Sequence, residues 1–175
     1  KVTVAAGGGF MDLVLHPDFA TNRLVYFTYA KDGALSAGAT YNATTVMGRG
    51  RLNEAETELT NVEDVFVADA WGDQAGGHGS RLRFAPDGTL FMSSPFRRDF
   101  VNPQNTMSDI SKLLRLNDDG SIPTDNPFVG IAGYLPEIWS IGHRAIEGIV
   151  FHPVTGELWA SEHGPQGGDE INIIQ

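Results

Sequence analysis

A chain of 175 residues, 41% hydrophobic and 19% charged, is long enough for one domain with a packed core. Twelve basic against 22 acidic side chains leave a formal net charge of -10, which excludes the basic surface that a nucleic acid needs. The absence of cysteine excludes disulfides, thiolate metal sites and a cysteine nucleophile, and no apolar run reaches the roughly 18 residues of a membrane span.

Along the chain one pattern occurs three times: an apolar strand, a proline turn and a second apolar strand. The first copy is Leu13-Val14-Leu15-His16-Pro17-Asp18 followed by Leu24-Val25-Tyr26-Phe27. The second is Leu82-Arg83-Phe84-Ala85-Pro86-Asp87-Gly88 followed by Leu90-Phe91-Met92. The third is Ile149-Val150-Phe151-His152-Pro153 followed by Leu158-Trp159-Ala160. The turn prolines stand at 17, 86 and 153, so the spacings are 69 and 67 residues, a long fixed period of the kind that repeat architectures show. Each copy predicts a β-hairpin, because its strands are rich in β-branched and aromatic residues and its turn carries Pro followed by Asp, Gly or Thr. Further strands are predicted at 45–47, 62–67, 112–116, 138–141 and 171–174. Four short strands per period fit a propeller blade, and the long period argues against a β-sandwich. At this period residues 1–175 form a single incomplete propeller domain of about three blades. Such a piece leaves two blade faces bare, which predicts either self-association or a missing remainder. The chain starts at Lys1 without initiator Met or signal peptide, as a processed chain or a fragment does.

Three segments carry candidate chemistry. His78 lies in the glycine-rich stretch Gln74-Ala75-Gly76-Gly77-His78-Gly79-Ser80. A loop histidine held by a rigid scaffold can serve as a general base, or it can be a loop residue without chemistry. His16 and His152 stand at equivalent places before the turn prolines, which marks them as structural. Arg144, between a strand and the third hairpin, can hold a carboxylate or polar oxygen through its fork of donors, or form a structural ion pair. The segment Ser161-Glu162-His163-Gly164-Pro165-Gln166-Gly167-Gly168-Asp169-Glu170 combines acids with bendable backbone, which suits either a calcium site or an acidic turn.

Taken in order, these segments resemble the soluble PQQ-dependent aldose and glucose dehydrogenases, the glucose/sorbosone dehydrogenase family. The resemblance covers almost the whole chain. It rests on Leu15-His16-Pro17-Asp18-Phe19, Gly77-His78-Gly79-Ser80-Arg81-Leu82, Leu114-Arg115-Leu116-Asn117-Asp118-Asp119-Gly120-Ser121-Ile122-Pro123 and Asp125-Asn126-Pro127-Phe128. It continues through Pro136-Glu137-Ile138-Trp139-Ser140-Ile141-Gly142-His143-Arg144 and Glu162-His163-Gly164-Pro165 to Gly168-Asp169-Glu170-Ile171-Asn172. It implies an all-β fold, part of a six-bladed β-propeller with four-stranded antiparallel blades, in a periplasmic or secreted protein. It also implies oxidation of an aldose at C1 to the lactone, with pyrroloquinoline quinone (PQQ) and calcium as cofactors. On the same footing His78 matches the catalytic base, Arg144 the arginine at the quinone oxygens, and Gly164 and Pro165 the residues whose carbonyls hold calcium. Glu170 matches an acidic calcium ligand.

Three positions depart from the family pattern. Ala145 stands where asparagine is usual, Gly7 where a glutamine is expected, and Phe96 where a carboxylate helps to orient the histidine. The family's further PQQ-binding basic residues lie beyond position 175. These departures support an alternative function, a non-catalytic propeller that binds a sugar, a protein or calcium.

Overall fold

In the computed structural model the described residues are 2, 8–35, 37, 39, 41–72 and 76–175; Gly7 lies outside them. Three antiparallel sheets follow one another along the chain. The first is formed by β1 (Phe10–Leu15), β2 (Leu24–Asp32), β3 (Ala43–Leu52) and β4 (Leu59–Val67), in that spatial order. The second is formed by β5 (Leu82–Phe84), β6 (Leu90–Ser93), β7 (Leu113–Leu116) and β8 (Ile138–Ser140). The third contains β9 (Ile146–Phe151), β10 (Leu158–Glu162) and β11 (Glu170–Ile174). The three expected hairpins are β1–β2, β5–β6 and β9–β10, with Leu13 opposite Phe27, Arg83 opposite Phe91 and Val150 opposite Trp159.

The turns of the first and third hairpins use one device. Nδ1 of His16 accepts the Asp18 N–H at 3.0 Å, and Nδ1 of His152 accepts those of Val154 and Thr155 at 3.3 and 3.1 Å. Ala85 occupies this place in the second hairpin, and Asp87 Oδ1 instead accepts the Thr89 N–H at 2.9 Å. The first turn is longer than a tight proline turn. It holds a single helical turn, α1 (Phe19–Asn22), ended by Arg23 at φ +55° with its N–H bonded to Phe19 O. Arg23 accepts that strain because its guanidinium donates to the carbonyls of Leu52 at 3.0 Å and Asn53 at 2.8 Å, closing the far end of the β3–β4 hairpin.

The middle sheet is covered on both faces, and strand alternation explains its apolar runs. Leu90 and Met92 of β6 face the first sheet, in a core with Tyr26, Met47, Leu82 and Leu116. Phe91 between them faces the third sheet, in a core with Leu113, Ile146, Ile149, Leu158 and Ala160. Each fully buried side chain of this kind contributes roughly 1.5–3 kcal/mol. The outward faces of the end sheets remain apolar and open, as at Phe10 (69% exposed) and Ile171 (74%). This packing of successive antiparallel sheets face to face makes the chain part of a β-propeller.

Polar side chains pin the joints. Asp12 Oδ2 accepts the Leu82 N–H at 2.8 Å, and Arg49 Nη1 donates to Asp118 O at 3.2 Å, both between the first and second sheets. Arg81 Nε donates to Glu147 O at 2.7 Å and its Nη2 pairs with Glu147 Oε2 at 2.8 Å, between the second and third. Asp109, fully buried behind the second sheet, accepts the Asp69 N–H through Oδ2 at 2.7 Å, while its Oδ1 has no partner among the described residues. Burial first, then the nearby Glu137 and Asp69 carboxylates, pushes the Asp109 carboxyl up to about 7. Among the described residues no helix is long and apolar enough to cross a membrane.

Candidate functional site

The loop ahead of β5 carries His78 against the turn that follows β6. Gly76 and Gly77 have φ of +85° and +67°, a region that suits glycine. The approach at Gly77 is close. Arg97 N–H donates to Gly77 O at 3.0 Å, and a Cβ on Gly77 would stand 2.8 Å from Arg98 N. Arg97 and Arg98 themselves have φ of +53° and +54°, so the turn is strained where it meets the histidine.

The turn delivers Arg97, 2% exposed, to the imidazole. Its Nη1 lies 2.7 Å from Nε2 and 3.0 Å from Nδ1 of His78 and 3.2 Å from Gly76 O, while its Nη2 donates to Gly72 O at 2.7 Å. The Tyr41 hydroxyl, from the segment ahead of β3, is hydrogen-bonded to Nε2, and the Arg97 guanidinium lies 5.6 Å over the Tyr41 ring. Burial, reinforced by the Arg97 charge, pushes His78 down to about 4, so the imidazole is neutral at pH 7.

Arg144 arrives from the third sheet. Its guanidinium lies 4.9 Å over the Phe96 ring, and its Nη1 donates to His163 O at 3.0 Å. Its Nε is buried without a hydrogen-bond partner among the described residues, and a buried cationic donor calls for an acceptor. The backbone of Arg144 is held by Glu162, 7% exposed, whose Oε2 accepts the Arg144 N–H at 2.8 Å. Glu162 Oε1 is bonded to His143 Nδ1 and to Asn172 Nδ2, each at 2.8 Å, and His143 Nε2 lies 3.0 Å from Ser140 Oγ. His78, Phe96, Arg98, Arg144 and Ala145 line one cavity of about 240 Å³ between the second and third sheets.

Gly164 and Pro165 lie apart from that cavity, on the loop joining β10 to β11, and Glu170 is the first residue of β11. Gly164 N–H donates to Asp169 Oδ1 at 2.8 Å, and a Cβ on Gly164 would collide with the carbonyls of Gly167 and Gly168. Glu170, opposite Glu162 in the β10–β11 ladder, accepts from Asn172 Nδ2 at 3.1 Å. Among the described residues no three His, Asp or Glu side chains are arranged to hold a metal ion. The donors here are carbonyl and carboxylate oxygens, the set that a hard cation takes.

The structure thus brings His78 and Arg144 together and keeps Gly164, Pro165 and Glu170 one loop away, linked to Arg144 through His163 O and Glu162. Sequence reasoning missed Tyr41, Arg97, His143 and Glu162 as site residues. Arg97 follows directly on the altered Phe96, but no sequence pattern ties it to His78. Tyr41 lies 37 residues before His78 with no motif around it.

The whole chain, residues 1–175, matches the family described as "Glucose / Sorbosone dehydrogenase". Aldose sugar dehydrogenase YliI of Escherichia coli (strain K12) is 38% identical over 96% of this chain and 44% of its own length. The crystal structure of the soluble aldose sugar dehydrogenase from Escherichia coli in the apo-form superimposes with a TM-score of 0.92 at 38% identity, over 100% of this chain and 49% of that one. The PQQ-bound form of the aldose sugar dehydrogenase from Streptomyces coelicolor gives a TM-score of 0.80 at 27% identity, over 99% of this chain and 48% of that one. The chain therefore spans about half the length of these relatives.

Proposed function

Because the chain belongs to the glucose/sorbosone dehydrogenase family, we propose that residues 1–175 are half of a six-bladed propeller that oxidises an aldose at C1 to the lactone with PQQ. Three sheets over about half of a related chain fit that blade number. A periplasmic or secreted location goes with this reading, and so does a remainder of the propeller that covers the two open apolar faces.

One observation carries the proposal: His78 and Arg144 reach a shared cavity from adjacent sheets, and Arg144 brings a buried Nε with no acceptor among the described residues. A planar quinone with carboxylate and carbonyl oxygens is an acceptor of the right kind, and Phe96 offers it an apolar wall. When bound, PQQ would supply the two-electron acceptor for the C1 hydride. His78 takes the proton of the C1 hydroxyl, which its neutral imidazole can accept. Arg144 would hold the quinone oxygens through its fork of donors. Calcium would be held by the carbonyls of Gly164 and Pro165 and the carboxylate of Glu170, where the oxygen donor set suits it.

The test is titration of the protein with PQQ in calcium buffer, followed by quinone absorbance and by dye reduction with aldoses. Saturable binding with aldose-dependent reduction is expected. PQQ binding without any turnover would instead support the second reading, a non-catalytic binding propeller. That reading is favoured by Arg97, whose charge lies against the nitrogens that a base must offer.

A further inference from the structure

A chain of net charge -10 gathers four of its 12 basic side chains, Arg81, Arg97, Arg98 and Arg144, at one cavity. Among the described residues the lining holds a single carboxylate, Glu147, and that one is paired with Arg81 at 2.8 Å. The Arg98 guanidinium makes no hydrogen bond or ion pair with any described residue. Asp99, next in sequence, is turned into its own loop, where Oδ1 accepts the N–H groups of Val101 and Asn102 at 2.9 and 3.0 Å. Arg98 instead lies against the bare backbone of Gly76, where a Cβ would stand 3.4 Å from both its Nε and its Nη2. Two guanidinia with donors to spare on one cavity call for an anion. We infer that this anion is a carboxylate borne by the substrate, so that Arg98 selects a sugar acid, such as a hexuronic acid, over a neutral aldose. That the carboxylate belongs to a sugar rests on the proposed function; that the cavity takes a carboxylate does not.

The two arginines stand at different depths. Arg144 has its Nε buried and a further donor on His163 O, whereas Arg98 is exposed. A bound cofactor takes the deeper donor and leaves the outer one to the molecule that enters after it. A protein of this net charge repels an anion at long range, so affinity for one has to come from local charge, and a guanidinium fork on a carboxylate supplies it. Phe96 and Ala145 on the same wall bring no polar group that competes for the carboxylate. A neutral aldose leaves Arg98 in water and gains nothing from it, and a uronic acid fills its fork. The carboxylate positions the sugar and does not react, since the reacting carbon is C1.

The test is calorimetry on the whole chain, alone and with PQQ in calcium buffer, using D-glucuronate, D-glucose and acetate as probes at fixed ionic strength. Glucuronate should bind about tenfold more tightly than glucose, the lower end of what a hydrogen bond to a charged group is worth, and Arg98→Gln should erase most of that preference. Arg98 is exposed, so the variant is expected to fold, and circular dichroism checks it. Arg98→Lys, which keeps the charge and loses the fork, should recover part of the preference. Equal affinity of the native chain for glucuronate and glucose overturns the inference. Acetate as effective as glucuronate also overturns it, by making the cavity a general anion site. So does an Arg98→Gln variant that loses PQQ affinity and keeps its affinity for glucuronate, which would give the arginine to the cofactor. Selective glucuronate binding by a chain that never binds PQQ would keep this inference and sink the proposed enzyme. Reduction of dye with glucose and PQQ, without any binding of glucuronate, would do the reverse.

Discussion

Glu162 holds Arg144 by its backbone: Oε2 accepts the Arg144 N–H at 2.8 Å while Oε1 binds His143 Nδ1 at 2.8 Å. Burial opposes the charge of Glu162, but the bonds from His143, the Arg144 N–H and Asn172 outweigh it and hold the carboxyl below its usual range. A carboxyl lowered in the folded state stabilises the fold fully above its unfolded value near 4.5, and that contribution fades as pH falls further. Glu162→Gln keeps the shape and loses the charge. It should cost about 2 kcal/mol in urea unfolding at pH 7, and the difference from native should narrow below pH 4.5. Equal loss at both pH values would show that the charge is immaterial.

Gly77 and Gly88 both have positive φ, +67° and +87°, yet their surroundings differ. A Cβ at Gly88 meets nothing within 4 Å among the described residues, whereas at Gly77 it meets Arg97 and Arg98 backbone at 2.8–3.0 Å. Gly88→Ala should cost only the left-handed backbone penalty of about 1–2 kcal/mol. Gly77→Ala should cost clearly more, because backbone must move, and should shift the His78 resonances. Paired thermal melts and His78 spectra check this.

Asp109 gives a pH signature of the opposite sign to Glu162. Its folded value of about 7 lies above the unfolded 3.8, so the folded state binds the proton more tightly and loses relative stability as pH rises from 3.8 through 7. Asp109→Asn removes that loss while keeping an acceptor for the Asp69 N–H. The variant should gain on the order of 2–4 kcal/mol at pH 8 and much less at pH 4.5. A gain independent of pH would assign the effect to packing.

If the protein oxidises aldoses, His78→Ala should lower turnover by about 100-fold, as loss of a general base does. Affinity for PQQ, read from quinone absorbance, should change little. Unchanged turnover would make His78 a loop residue only.

Glu170→Ala should weaken calcium binding in calorimetry, with chelated protein as the baseline. Equal heats for native and variant would remove Glu170 from the ligand set.

The hairpins were legible because period-2 patterning and proline turns are local signals, and Leu90-Phe91-Met92 shows why the middle sheet reads as a continuous apolar run. The family was legible from ordered motifs. Arg97 as partner of His78 was not, because contact between loops depends on two successive left-handed residues, which sequence pattern does not announce. Glu162 was counted among the acids of a calcium segment, since its alternation into the interior of β10 becomes visible only with the register. Tyr41 illustrates the general limit, as nothing at position 41 distinguishes a site tyrosine from a core one.

Arg81 spans the joint between the second and third sheets, grasping both the carbonyl and the carboxylate of Glu147. His78 lies just before Arg81 on one wall of the cavity, and Arg144 lies just before Glu147 on the other. The Arg81 side chain thus acts as a strut across the cleft, beside the Arg83 Nε bond to Ile149 O at 3.3 Å. A shorter strut, as in Arg81→Ser, would let the walls drift, so the spacing between a base and its oxygen-binding partner is a mechanical dimension written into a residue that touches neither.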